Sequence, residues 1–271
     1  MLAGCPGPVP LTRGVVGTTV PEGRPAAMWA QVAAYAAAAG RRVSVADVCA
    51  VAVRSAEMSG GWVAAAGGRG ADFVICVTDA VAEQLAELQL TLGGGPCHEV
   101  LASAAPVLAA DLSSEQSDRR WPGFAAQARL LGAEAAFAFP LTIGVIRAGV
   151  MGLYRSAPGP LPAERFGDSL VLADLATALL LDGAARGGDS DAAAGAGPVL
   201  DGQSPDLMLH RAEIDQATGM LTVQLGVPMA EAFARLRAYA YAHDRRLADV
   251  ASDVVARRLR LHADSGRDDV P

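Results

Sequence analysis

"AEIDQATGMLTVQLG", residues 212–226, has the pattern of a helix with a glycine set into its middle. Leu207, Ile214, Ala217, Leu221 and Leu225 recur at helical spacing over 206–225, and Gly226 supplies the stop. Two residues on, Pro228 opens a second helix at its first position, with Met229, Ala232, Phe233, Leu236 and Ala240 on its core side. A third begins near Leu247 and carries Val250, Ala251, Val254, Val255 and Leu259. Three tightly linked amphipathic helices over 206–262 make a small all-α bundle.

Gly219 costs its helix about 1 kcal/mol relative to alanine, so the bare backbone needs a reason. Ala212, Gln216, Gly219 and Val223 line up at spacings of four, three and four, off the core stripe. On the second helix Ala230, Ala234, Arg237 and Tyr241 repeat that spacing. Small residues permit close helix–helix packing, which is one role. The other is a docking surface, where a guest needs room beside Gly219 and polar handles around it.

Upstream, "GAARGGDSDAAAGAGPVLDGQSP" (183–205) has the Gly, Ala, Ser and Asp content of a flexible linker. Before it, 26–182 mixes element types. "AAMWAQVAAYAAAAG" (26–40) and "SVADVCAVAVRSAEM" (44–58) are apolar-periodic helices, with Ser44 and Asp47 as an N-terminal signature. Strand-like runs follow at 61–67, 71–78, 105–112, 133–143 and 147–156, with helical segments at 79–90, 121–131 and 166–182. Short neighbouring strands joined by turns indicate an α+β fold built on an antiparallel sheet. The Pro/Gly-rich residues 1–25 and the last residues, 263–271, read as disordered tails.

With 52% hydrophobic and 19% charged residues in 271, the chain has the content of folded domains. No apolar run reaches the roughly 18 residues of a membrane span, and 1–25 lacks the pattern of a secretion signal. Four scattered cysteines, with no CxxC pair, argue against a disulfide framework and a structural zinc site. These features make a cytoplasmic protein the expectation. Net charge is −7, unevenly spread: 205–262 is +1 and 1–204 is −6. A nucleic-acid partner would therefore have to be held by shape and stacking as well as charge.

Two resemblances sharpen this outline. "LGGGPCHEVL" (92–101), "PVLAADL" (106–112), "RWPGFAAQA" (120–128) and "AFAFPLTIGVIRAGVMGLYRSAPGPL" (136–161) resemble, in order, the GAF domains of actinobacterial regulators. That resemblance implies a sensor domain at 26–182, an antiparallel sheet with flanking helices and a pocket over one face. Residues 212–259 resemble the ANTAR domain, an RNA-binding antitermination module. The A-x-G-M-L run at 217–221, the A-F-x-x-L-R run at 232–237 and the L-x-x-V-A run at 247–251 keep the family's spacing. Thr218 and Thr222 depart from it, standing where many members carry lysine and methionine.

The expected RNA contacts are Ala212, Gln216, Thr218, Gly219, Val223, Arg237, Tyr241, Arg245 and Arg246. Gln216 offers donors and acceptors, and Tyr241 or Arg237 can stack on an unpaired base. Arg245 and Arg246, on the turn before the third helix, are candidates for phosphate contacts. Arg257, Arg258 and Arg260 read as a solvated face. In the GAF-like region "GGGPCHE" (93–99) reads as a mobile loop whose Cys97, His98 and Glu99 alternate sides and do not converge. Cys97, His98, Trp121 and Phe124 are the ligand-pocket candidates, with a buried Cys97 and a core placement of Trp121 and Phe124 as the plainer roles. No catalytic residue, metal site or cofactor is identifiable, and an unknown small molecule is the ligand that the GAF-like region would take.

The resulting expectation is a homodimeric antiterminator, not an enzyme, that binds hairpin loops in nascent mRNA under GAF control. Its dimer surfaces would come from 26–58 and 166–182. The alternative is a GAF signalling module whose C-terminal bundle contacts protein, and a DNA-binding helix-turn-helix ranks below both.

Overall fold

The computed structural model describes residues 23–66, 73–187 and 205–262. The expected tails, most of the expected linker and residues 67–72 lie outside the described residues. In chain order the elements are α1 Arg24–Ala38, α2 Val45–Ser55, β1 Gly60–Ala65, β2 Phe73–Val77, α3 Ala80–Leu92, α4 Pro96–Ser103 and β3 Val107–Ala109. There follow α5 Glu115–Arg120, α6 Phe124–Leu130, β4 Ala135–Ile143, β5 Ile146–Arg155, α7 Ala163–Gly187, α8 Pro205–Leu225, α9 Met229–Ala242 and α10 Leu247–Val255.

The five strands form one antiparallel sheet in the order β2-β1-β5-β4-β3. Alternation along β4 sorts its side chains: Phe137, Phe139 and Leu141 enter the core beneath α1, α2 and α7, and Ala136 and Ala138 enter the core beneath α3, α4 and α6. The alanine face leaves depth for a large partner. Trp62 of β1 fills it and lies so close to Gly152 of β5 that a Cβ there would meet the indole at 2.3 Å. At α2 the expected N-terminal signature is present: the Ser44 N–H donates to the Asp47 carboxylate at 2.9 Å, and Arg41 reaches that buried carboxylate at 2.6 Å.

The helices at 205–262 close on a third core, in which Ala217, Leu221, Leu236, Leu247, Val250 and Val254 are all buried. α8 packs against α10 and α9, and it also lies on β2, the strand at one edge of the sheet.

Some boundaries differ from the sequence expectation. The GGGPCHE stretch is not an extended loop beyond Gly95: Pro96 takes the first turn of α4, a position that suits a residue without an N–H. Pro228 caps α9 and does not begin it. α10 stops at Val255, so Leu259 packs on the bundle core from beyond the helix. α7 continues to Gly187, into the segment read as linker, and α5 has no counterpart in the sequence expectation.

Candidate nucleic-acid interface

The outer face of α8 is open. Ala212, Gln216 and Val223 are exposed, Val223 to 85%. Among the described residues a Cβ built on Gly219 would meet nothing within 4 Å, so the glycine is not accommodating a neighbouring helix of the bundle. The close-packing role fails at this position, and the bare patch faces solvent. Thr218 is a correction: one residue step turns it inward, where it is buried and donates its hydroxyl to the Ile214 carbonyl at 2.7 Å. It presents nothing to a ligand on that face.

On α9 Tyr241 is 58% exposed, while Ala230 and Ala234 are exposed small residues. The expected arginines are engaged elsewhere. Arg245 pairs with Asp253 of α10 at 2.7 Å. Arg246 reaches across to α3, with Nε donating to Glu87 and a terminal nitrogen to Glu83, both at 2.7 Å. Burial lowers the Arg246 pKa, and the hydrogen bonds to Glu87 and Glu83 more than offset it, so the guanidinium is held more firmly charged than usual. Arg237 lies half-buried, 5.4 Å from the Phe233 ring centroid and directly against Gly93 at the end of α3. Burial pushes its pKa down, and its Nε has no hydrogen-bond partner among the described residues. Arg211 lies over the Phe73 ring of β2 at 3.4 Å.

The structure therefore brings Ala212, Gln216, Gly219 and Val223 together on one free face and takes Arg237 and Arg246 away from it. Sequence reasoning missed Glu83 and Glu87, which form an i, i+4 acidic pair on α3. That spacing is visible in the chain, but a partner at position 246 leaves no local signal.

In the sheet domain, Cys97 and His98 line a cavity of about 30 Å³ with Trp62, Ala64, Val74, Ala86, Gln89, Leu90 and Val150. That is room for about two waters, far below the roughly 300–1,000 Å³ of small-molecule sites. Trp121 and Phe124 do not line it; both are buried core, in edge-to-face contact with ring centroids 6.5 Å apart. The α3–α4 corner is tied by Gln89, whose side-chain oxygen accepts from the Cys97 N–H at 2.8 Å. Glu99 holds α4 to the next layer, accepting from Arg120 Nε at 2.8 Å and Trp121 Nε1 at 3.1 Å. Arg120 keeps that carboxyl below its ordinary pKa.

The family model of the ANTAR domain matches residues 206–255. No curated protein sequence matches the chain significantly. Among solved structures, the GAF domain of an Acinetobacter phosphoenolpyruvate-protein phosphotransferase is 12% identical with a TM-score of 0.47, covering 60% of this chain and 98% of that one. The GAF-B domain of DevS from Mycobacterium smegmatis is 19% identical with a TM-score of 0.40, covering 54% and 96%. Residues 206–255 thus match the ANTAR domain family, and in this chain they follow a domain built on a five-stranded antiparallel sheet.

Proposed function

We propose that this chain is a transcription antiterminator, not an enzyme, whose ANTAR bundle binds hairpin loops in nascent mRNA under the control of the GAF-like domain. One observation carries it: within the ANTAR match, the α8 face formed by Ala212, Gln216, Gly219 and Val223 is open and made of small or neutral side chains, with exposed Asp215, paired to Arg211, at its edge. An unpaired base needs such room, an amide such as that of Gln216 to read its edge, and an aromatic such as Tyr241 to stack on. A duplex binder would need a run of free cations instead, and here the arginines at 211, 237, 245 and 246 are all in contact with protein groups.

A single bundle with so few contacts binds one hairpin weakly. Two copies in a homodimer raise the effective concentration at a second, adjacent hairpin. The test is a titration of the full chain with one- and two-hairpin RNAs and with matched duplex DNA at several salt concentrations. The expected result is loop-base dependence, a shallow salt slope and tighter binding to paired hairpins. Equal binding to duplex DNA contradicts it.

A second function is favoured by a specific observation, the contact of Arg211, Arg237 and Arg246 with the sheet domain. On that basis the bundle is a protein-contacting module. Tyr241→Ala separates the two: RNA affinity falls if the first is right and stays at a low baseline if the second is.

A further inference from the structure

Helix α3 meets the ANTAR bundle along its length. Near its start stand Glu83 and Glu87, one turn apart, which repel each other unless a cation lies between them. Arg246 occupies that place. Glu87 does more. Arg246 is the N-cap residue of α10 and has no side-chain oxygen to offer the helix's first N–H groups. The second oxygen of Glu87 accepts from the Ala248 N–H at 3.3 Å. A carboxylate of the sheet domain thus caps a helix of the other domain.

At the far end α3 closes on Gly93, whose φ of +66° is the left-handed turn that favours glycine. The Arg237 guanidinium rests where a side chain at 93 would stand, with a Cβ there only 2.4 Å from the nearest guanidinium nitrogen. A cation is also the favoured charge at a helix C-terminus. Between the two ends, Leu90 packs on the bundle core and also lines the small cavity beneath α3.

The geometry points to α3 as a latch that competes with RNA: Glu83, Glu87 and the Gly93 turn hold Arg246 and Arg237, so the docked bundle has its loop-binding face without its phosphate contacts. This rests on the RNA function proposed above and names how that function is regulated. Carboxylates and phosphates offer the guanidinium the same chemistry, so a bundle released from α3 turns these arginines to the RNA backbone. Because Leu90 belongs to both the cavity wall and the bundle contact, a change in that cavity shifts the surface the bundle sits on.

The test uses the full chain with Glu83→Gln and Glu87→Gln together. The control is Glu115→Gln with Asp118→Asn, which changes the net charge equally on the exposed side of α5, away from the latch. Amide hydrogen exchange over 88–95 and 244–250 reports opening without RNA, and titration with hairpin RNA at several salt concentrations reports binding. The latch variant is expected to exchange faster and to bind RNA about five- to tenfold more tightly. Its salt slope should steepen by about 0.7 for each arginine freed, and the control should match the parent chain. Faster exchange with unchanged RNA affinity and slope overturns the latch while leaving the RNA function standing. Unchanged exchange overturns it as well, as does an equal gain in the control. If neither chain binds hairpin RNA at all, the RNA function falls and the latch falls with it.

Discussion

The hydroxyl of Tyr154 on β5 donates to Asp79 Oδ1 at 3.0 Å. The same carboxylate oxygen accepts from the Ala82 N–H at 2.9 Å and so caps α3, the helix that faces the ANTAR bundle. Burial, with Asp79 next, pushes the Tyr154 pKa up to about 12. The neutral phenol is therefore favoured in the folded state. Its contribution is fully present below about pH 10, the ordinary tyrosine value, and is lost as pH rises to about 12. Ultraviolet titration should show one late tyrosine, and Asp79→Ala should bring it back toward 10 and cost about 1 kcal/mol through the lost cap.

His98 lies near Arg237 across the domain boundary. Burial lowers the His98 pKa, and the Arg237 charge lowers it further. Arg237→Met should raise it toward the ordinary value of about 6.5, as followed by NMR of the ring protons. The sign for stability follows: the contribution is present above about pH 6.5 and is lost as pH falls through the depressed folded value. An unmoved His98 would mean that Arg237 does not sit against the sheet domain in solution.

Leu221 is fully buried in the bundle core, which is separate from the two cores of the sheet domain. Leu221→Ala should destabilise the bundle by about 2–5 kcal/mol. Hydrogen exchange should rise across α8 to α10 and stay low in β4 and β5.

Trp29 is 44% exposed on α1, a helix that also exposes Ala30 and Ala37. If the homodimer forms through this face, Trp29→Glu should give a monomer in sedimentation with an unchanged circular dichroism spectrum, and lose the preference for two-hairpin RNA.

Much of this fold was legible because its signals are local. The alternation of β4 and β5, the Ser44–Asp47 pair and the stop at Gly226 each act within a few residues. The three spaced ANTAR runs identified the bundle for the same reason. What was missed depends on packing or distance. The glycines at 93–95 masked the helix start at Pro96. Thr218 differs from the open Gly219 by one residue, and only the closed bundle decides which of them is buried. The small cavity lies between side chains of β1, β2, β5, α3 and α4 that only the closed fold brings together. Arg246 meets Glu83 across 163 residues, and no periodicity encodes such a pair.

The most direct measurement concerns Gly219 itself. Gly219→Leu places a good helix former where a Cβ meets open space, so the bundle should gain up to about 1 kcal/mol in stability. The same side chain fills the seat of the base, and hairpin affinity should fall by about tenfold or more, the loss of one stacked base at ~1–3 kcal/mol. A variant that melts higher and binds the hairpin loop as tightly as the parent chain would contradict the account.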